Sequence, residues 1–224
     1  MFVTLPDDAA FDNAIPVPVN GSAGPAATRL RPGDGLFYEG DEVEWLYQVT
    51  SGVLRLTRLL ANGRRQVIAF GYPGDVVGFP ACGLHHTDCD ALTEVRLRPF
   101  RRSVLESGAG DSALHEALLQ SALREISAMQ DHLMVLGRKS ATEKLASFLH
   151  ALARRVGEDC GGMRRVHLPM SRADIADFLG LTTETVSRTL TLLRKQEIIA
   201  IDNIHTVIIR DPAALLAQTE SEQA

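Results

Sequence analysis

The stretch "GLTTETVSRTL", Gly180 to Leu190, gathers side chains able to trade hydrogen bonds with a polar partner. Glu184 and Arg188 stand four residues apart and share one face if the segment is helical; Thr182, Thr183, Thr185 and Ser187 surround them with hydroxyls. As an ion pair the two charges would stabilise a helix by only about 0.3–0.5 kcal/mol. A second use is open to them. In the major groove of duplex DNA a guanidinium donates twice to guanine O6 and N7, and a carboxylate accepts from a cytosine amino group. Small hydroxyls near a helix N-terminus suit phosphate oxygens. Spacing alone does not choose between a stabilising pair and a reading pair.

The surrounding elements bear on that choice. In "MSRADIADFLGLTTETVSRTLTLLRKQEII", Ser171 and Thr182 are placed as N-caps. Ile175, Leu179, Val186, Leu190 and Leu193 recur at helical spacing, and Gly180 permits a sharp turn between two helices. "RRVHLPM" before them reads as a strand and "IIAIDNIHTVIIR" after them as a closing hairpin, so the segment is expected to be a winged helix-turn-helix. In that geometry Thr182, Thr183, Glu184, Thr185, Ser187, Arg188 and Lys195 stay outside the core.

The rest of the chain supplies context. Its 224 residues carry a net charge of −5, which by itself disfavours a polyanionic partner. The charge is unevenly spread: residues 1–137 hold 11 Lys and Arg against 17 Asp and Glu, whereas residues 138–210 hold 12 against 8. A basic second half can confine attraction for a polyanion to one domain. The N-terminus lacks a secretory pattern and no segment has the roughly 20 apolar residues of a membrane span, so a cytoplasmic protein with no membrane partner is expected. Cys82, Cys89 and Cys160 form neither a disulfide framework nor paired metal-binding units.

Residues 1–28, rich in Pro, Ala and Gly, read as a flexible N-terminal arm. Residues 29–110 break into short β-rich runs, with Ser51-Gly52 and Asn62-Gly63 marking hairpins, which suggests a small antiparallel barrel or jelly roll. Over residues 111–137 the period lengthens to that of one long helix. Leu119, Leu123, Ile126 and Leu133, with Gln130 as a polar interruption, trace a coiled-coil seam that either packs on the barrel or pairs with a second copy. Residues 138–224 hold another amphipathic helix, "ATEKLASFLHALARRV", and then the winged helix-turn-helix. The whole reads as an α+β chain.

From about Arg29 to Arg210 the sequence resembles the Crp/Fnr superfamily of bacterial transcription regulators. The resemblance is carried by "RPGDGLFYEGDEVEWLYQVTSGVLRL", "GRKSATEKLASFLHALARR" and above all "LPMSRADIADFLGLTTETVSRTLTLLRKQEII". It implies a cyclic-nucleotide-binding-like barrel, a dimerisation helix bearing the seam above, and a C-terminal DNA-binding domain. The Glu184, Ser187, Arg188 pattern is similar to the Fnr and FixK branches, which read TTGAT-N4-ATCAA-like palindromes; the cAMP-receptor branch tends to have Gly where Ser187 stands. By this resemblance Glu184, Ser187 and Arg188, with Thr183 beside them, read bases. Ser171, Arg172, Thr182, Thr185 and Lys195 are candidates for phosphate contact. The resemblance also implies a homodimer that contacts RNA polymerase, most often as an activator.

Two departures narrow the class. Cyclic-nucleotide binders of the superfamily carry a Gly-Glu pair followed by Arg-Ser; here Asp75 replaces the glutamate, and no arginine lies between Gly74 and Glu94 to pair with a phosphate. Fnr proper holds an iron–sulfur cluster through cysteines in its arm, and no Cys precedes Arg29. The expectation is a FixK-like regulator without cofactor. "CGLHHTDC" is the stretch that keeps a ligand-, heme- or redox-gated sensor open, through His85, His86 and the thiols of Cys82 and Cys89, with Cys160 a further redox candidate; otherwise it is a solvent-facing loop before the last strand. A cupin-type metalloenzyme needs His and carboxylate ligands on two strands, and no nucleophile elbow, Walker loop or HExxH occurs.

Overall fold

The computed structural model describes residues 28–108 and 111–220. Residues 1–27, most of the expected arm, lie outside them; Thr28, assigned to that arm, instead opens the first strand.

The first compact unit holds β1 (Thr28–Leu30), β2 (Gly35–Phe37), β3 (Trp45–Ser51), β4 (Leu54–Leu59), β5 (Arg65–Gly71), β6 (Val76–Val77), β7 (Asp88–Ala91) and β8 (Val95–Arg101). They form two four-stranded antiparallel sheets, ordered β1-β8-β3-β6 and β2-β7-β4-β5. Leu46, Val49, Leu54, Val67, Phe70, Val95 and Leu97 are buried; on β8 Val95 and Leu97 alternate with more exposed arginines, whereas the end of β5 is buried from Ala69 through Gly71. Asn62-Gly63 closes the β4–β5 hairpin as expected, with Gly63 at φ 76°. Ser51-Gly52 does not make a hairpin, because β3 and β4 belong to different sheets. Gly52 sits at φ 83°, and a Cβ there would strike the Glu94 carbonyl oxygen, so the glycine serves a tight crossing between sheets.

After β8 come α1 (Arg102–Ser107) and α2 (Ser112–Arg138). The 27 residues of α2 span about 40 Å at 1.5 Å per residue. Leu114, Ala117 and Leu118 on its first turns join a core cluster with Leu46, Val76 and Phe100. The two compact units divide inside this helix, between Met129 and Gln130. The physical reason is that the last turns of α2 pack on the C-terminal unit, through His132 against Phe178.

That second unit continues with α3 (Ala141–Val156), β9 (Glu158–Asp159), β10 (Arg164–His167), α4 (Arg172–Leu179), α5 (Thr183–Lys195), β11 (Ile199–Asn203), β12 (Thr206–Ile209) and α6 (Pro212–Ala217). Its sheet is ordered β11-β12-β10-β9. Ser140 and Glu143 form a reciprocal capping box that starts α3. Short elements unforeseen in the sequence are β9, paired with β10 across the Cys160–Met163 turn, and α6, capped by Asp211 with Pro212 in its first turn. Among the described residues no helix is long and apolar enough to cross a membrane.

Candidate nucleic-acid interface

The helix-turn-helix is built as its sequence suggests. Ser171 caps α4: its Oγ accepts from the Asp174 N–H at 3.1 Å, while the Asp174 carboxylate accepts from the Ser171 N–H at 3.0 Å. Gly180 ends α4 in the left-handed region, at φ 61° and ψ 40°. Thr182 caps α5 by accepting from the Thr185 N–H at 3.1 Å, and the two threonine hydroxyls lie 2.8 Å apart. Ile175, Leu179, Val186, Leu190 and Leu193 are all buried. With Val186, Leu190 and Leu193 holding one face of α5 inward, the opposite face points outward.

That outward face carries the reading candidates. The side chains of Arg188 and Glu184 are 81% and 79% exposed, and Arg188 Nη1 lies 3.5 Å from Glu184 Oε1. So open an ion pair contributes little to stability, and both groups stay available to a partner. Thr183 and Ser187 are exposed beside them, and the Ser187 hydroxyl donates to the Thr183 carbonyl at 2.9 Å. Its lone pairs are left facing out, which makes Ser187 an acceptor in this conformation. Lys195 is exposed at the far end of α5.

The phosphate candidates divide. Thr182 and Thr185 sit at the α5 N-terminus, where the backbone dipole favours an anion. Arg172 is half-buried at the start of α4, and burial pushes its guanidinium below the ordinary arginine pKa. The Ser171 hydroxyl, expected to serve a phosphate, donates its one proton to Asp174 Oδ2 at 2.7 Å. In this conformation it has no proton to offer a phosphate oxygen.

On α2 the seam residues Leu119, Leu123, Ile126 and Leu133 are 42–67% exposed, and Gln130 is exposed among them. The opposing face, with Leu114, Leu118, Ser121 and Ala128, is buried. Of the two packings open to the seam, the barrel therefore takes the other face of the helix. Met129 and Met134, 44% and 63% exposed, widen the apolar stripe beyond the residues that heptad spacing selects.

The barrel candidates fall apart as a group. Cys82 is exposed at φ 54°, Cys160 is half-buried in the other unit, and Cys89 is buried within β7, where desolvation pushes its thiol well above the usual range. The "CGLHHTDC" stretch is only partly a solvent-facing loop. His85 is buried and stacked on Phe37, ring centroids 3.8 Å apart, and desolvation lowers its pKa against the opposing pull of Asp41. His86 instead meets Arg58 at 3.1 Å. Among the described residues no three His, Cys, Asp or Glu side chains come together as a metal site. Asp75, standing where a cyclic-nucleotide binder has glutamate, is fully buried and accepts from the Tyr72 N–H at 2.8 Å. A carboxylate used to close its own turn fits poorly as a sugar-hydroxyl acceptor, and no cation follows it on the strand to receive a phosphate.

Comparison with known proteins places this arrangement. The Crp-like helix-turn-helix domain family matches residues 143–218, and the cyclic nucleotide-binding domain family matches residues 27–108. The nitrogen fixation regulation protein FixK of Rhizobium meliloti is 39% identical over 210 residues, covering 94% of each chain. FixK of Azorhizobium caulinodans is 43% identical over 92% of this chain and 84% of its own. The transcriptional activator protein FnrL of Cereibacter sphaeroides is 34% identical over 83% of this chain and 77% of its own. The solved structure of FixK2 from Bradyrhizobium japonicum superposes with a TM-score of 0.79 at 36% identity, covering 88% of this chain and 98% of that one.

Proposed function

We propose, from the premise that the chain belongs to the Crp/Fnr family of DNA-binding transcription regulators, that it binds a TTGAT-N4-ATCAA-like palindrome as a homodimer and activates transcription through contact with RNA polymerase. The observation that carries this reading is the outward face of α5, where Glu184, Ser187 and Arg188 stand exposed on a helix whose other face is locked in the core. Arg188 donates to a guanine, Glu184 accepts from a cytosine amino group, and Ser187 meets its base with a lone pair. Arg172, Thr182, Thr185 and Lys195 hold the phosphates on either side and set the register.

Two copies are joined along α2, with Leu119, Leu123, Ile126 and Leu133 facing their symmetry mates and Gln130 fixing the register. A palindrome then presents one half-site to each α5. DNA binding proceeds without cyclic nucleotide; supporting this are the self-engaged carboxylate of Asp75 and the lack of an arginine between Gly74 and Glu94. The test is a titration of ligand-free protein against the palindrome and a scrambled duplex, with and without cAMP. Tight, cAMP-independent preference for the palindrome is expected. Binding that appears only with cAMP refutes the cofactor-free reading, and equal binding to both duplexes refutes base reading.

A further inference from the structure

The last turns of α2 hold a buried histidine that base reading does not use. His132 is 7% exposed, and its ring lies on that of Phe178 with centroids 4.2 Å apart and planes inclined by 19°. A backbone hydrogen bond with Phe178 engages the same ring. Phe178 is itself fully buried on α4 and meets Phe148 of α3 at 5.8 Å, tilted by 54°. One turn further along α2, Leu136 Cδ2 comes within 3.7 Å of the space a Cβ on Gly180 would occupy. The end of α2 therefore touches both the first helix of the helix-turn-helix and the turn that launches α5.

A leucine would fill such a site at less desolvation cost. A flat ring that is both stacked and hydrogen-bonded does something an aliphatic side chain does not: it fixes the plane of contact as well as the distance. The next residue, Leu133, is the most exposed apolar member of the seam at 67%. Consecutive residues are rotated by about 100° around a helix, so a single turn of α2 presents one face to Phe178 and another to solvent, where a second copy is seated.

We propose that His132 is a positioning residue: its stack on Phe178 sets the angle at which the helix-turn-helix is held on the end of α2, and through α2 the separation of the two recognition helices in the dimer. The proposal rests on the homodimeric DNA-binding reading above. Its consequence is a role in spacing rather than in base identity. A head that swivels on α2 still recognises a half-site, but it no longer measures the gap between two of them.

The experiment is a spacer scan with full-length wild type, His132→Ala and His132→Phe. Duplexes carry the two half-sites at the four-base-pair spacing, one base pair shorter or one longer, with a single half-site duplex and a random one as references. Wild type is expected to lose roughly ten-fold in affinity when the spacer changes by one base pair, a typical penalty for one mismatched feature of a site. His132→Ala, still dimeric by sedimentation, is expected to keep wild-type affinity for the single half-site but to bind all three spacers within about two-fold of one another. His132→Phe, which restores a stackable ring, is expected to recover the spacer preference. Should the alanine variant not yield folded dimer, His132→Gln serves as the ringless substitute. A ringless variant with the wild-type spacer profile overturns the proposal, and so does a phenylalanine variant no better than the ringless one. Wild type that prefers no spacer over random duplex would instead sink the DNA-reading premise.

Discussion

Replacing Ile126 by glutamate attacks the centre of the α2 seam. The Ile126 side chain is 53% exposed in the single chain. Full burial of an isoleucine contributes about 1.5–3 kcal/mol, so covering the exposed half contributes about 1 kcal/mol, once per subunit. In the proposed dimer a two-fold axis along the seam sets each copy of residue 126 against its mate, so the substitution forfeits about 2 kcal/mol of burial. It also brings two carboxylates together where water is being excluded, at a cost of at least another 2 kcal/mol. A total near 4 kcal/mol weakens the dimer about a thousand-fold. Sedimentation velocity at micromolar concentration should show wild type and Ile126→Leu as dimers and Ile126→Glu as monomer, with unchanged helix content by circular dichroism. A glutamate variant that stays dimeric at the wild-type concentration range refutes the seam.

The other predictions concern the C-terminal unit. Arg188→Ala should weaken binding to the specific palindrome by about 1–3 kcal/mol while leaving random duplex unaffected, by fluorescence anisotropy; equal losses on both would remove its base-reading role. Lys195→Ala should weaken binding to all sequences alike and lower the salt slope by about one ion, and a loss confined to the palindrome would contradict a phosphate contact. Burial, opposed by the Phe178 backbone bond and aided by the Lys144 charge, holds the His132 imidazole down to about 4 against an ordinary 6.5. Above pH 6.5 both folded and unfolded rings are neutral; below it the unfolded ring gains a proton that the folded ring refuses until about 4. The folded state should therefore lose up to about 3 kcal/mol as pH falls across that window. Urea unfolding at pH 7.5 and 5 should show about 2 kcal/mol of that loss in wild type and a smaller one in His132→Phe; equal losses in the two proteins would contradict a burial-depressed ring.

Much of the helix-turn-helix was legible because local signals agree there. Two capping residues, a left-handed glycine and five apolar positions at one period leave a single arrangement for α4 and α5, so the exposed face follows from the buried one. Long-range relations were not legible. Ser51-Gly52 carries the composition of a hairpin turn, yet it connects two sheets, and only strand pairing decides which. Asp211-Pro212 carries the composition of a helix start, but the six residues of α6 are too few to show a helical period. His132 shows no sequence signal at all: it is a polar residue off the seam of an amphipathic helix, and its partner Phe178 lies 46 positions away. Ser171 shows the opposite limit, since its type suits both a cap and a phosphate contact and only the hydrogen bond to Asp174 tells which the hydroxyl serves.

Base reading by the outward face of α5 is tested most directly by comparing wild type, Glu184→Ala and Arg188→Ala on a set of duplexes with each half-site base pair substituted in turn. Each variant is expected to lose discrimination at its own base pair, by about 1–3 kcal/mol, and to keep it elsewhere. Uniform weakening at every position, with discrimination intact, would contradict base reading.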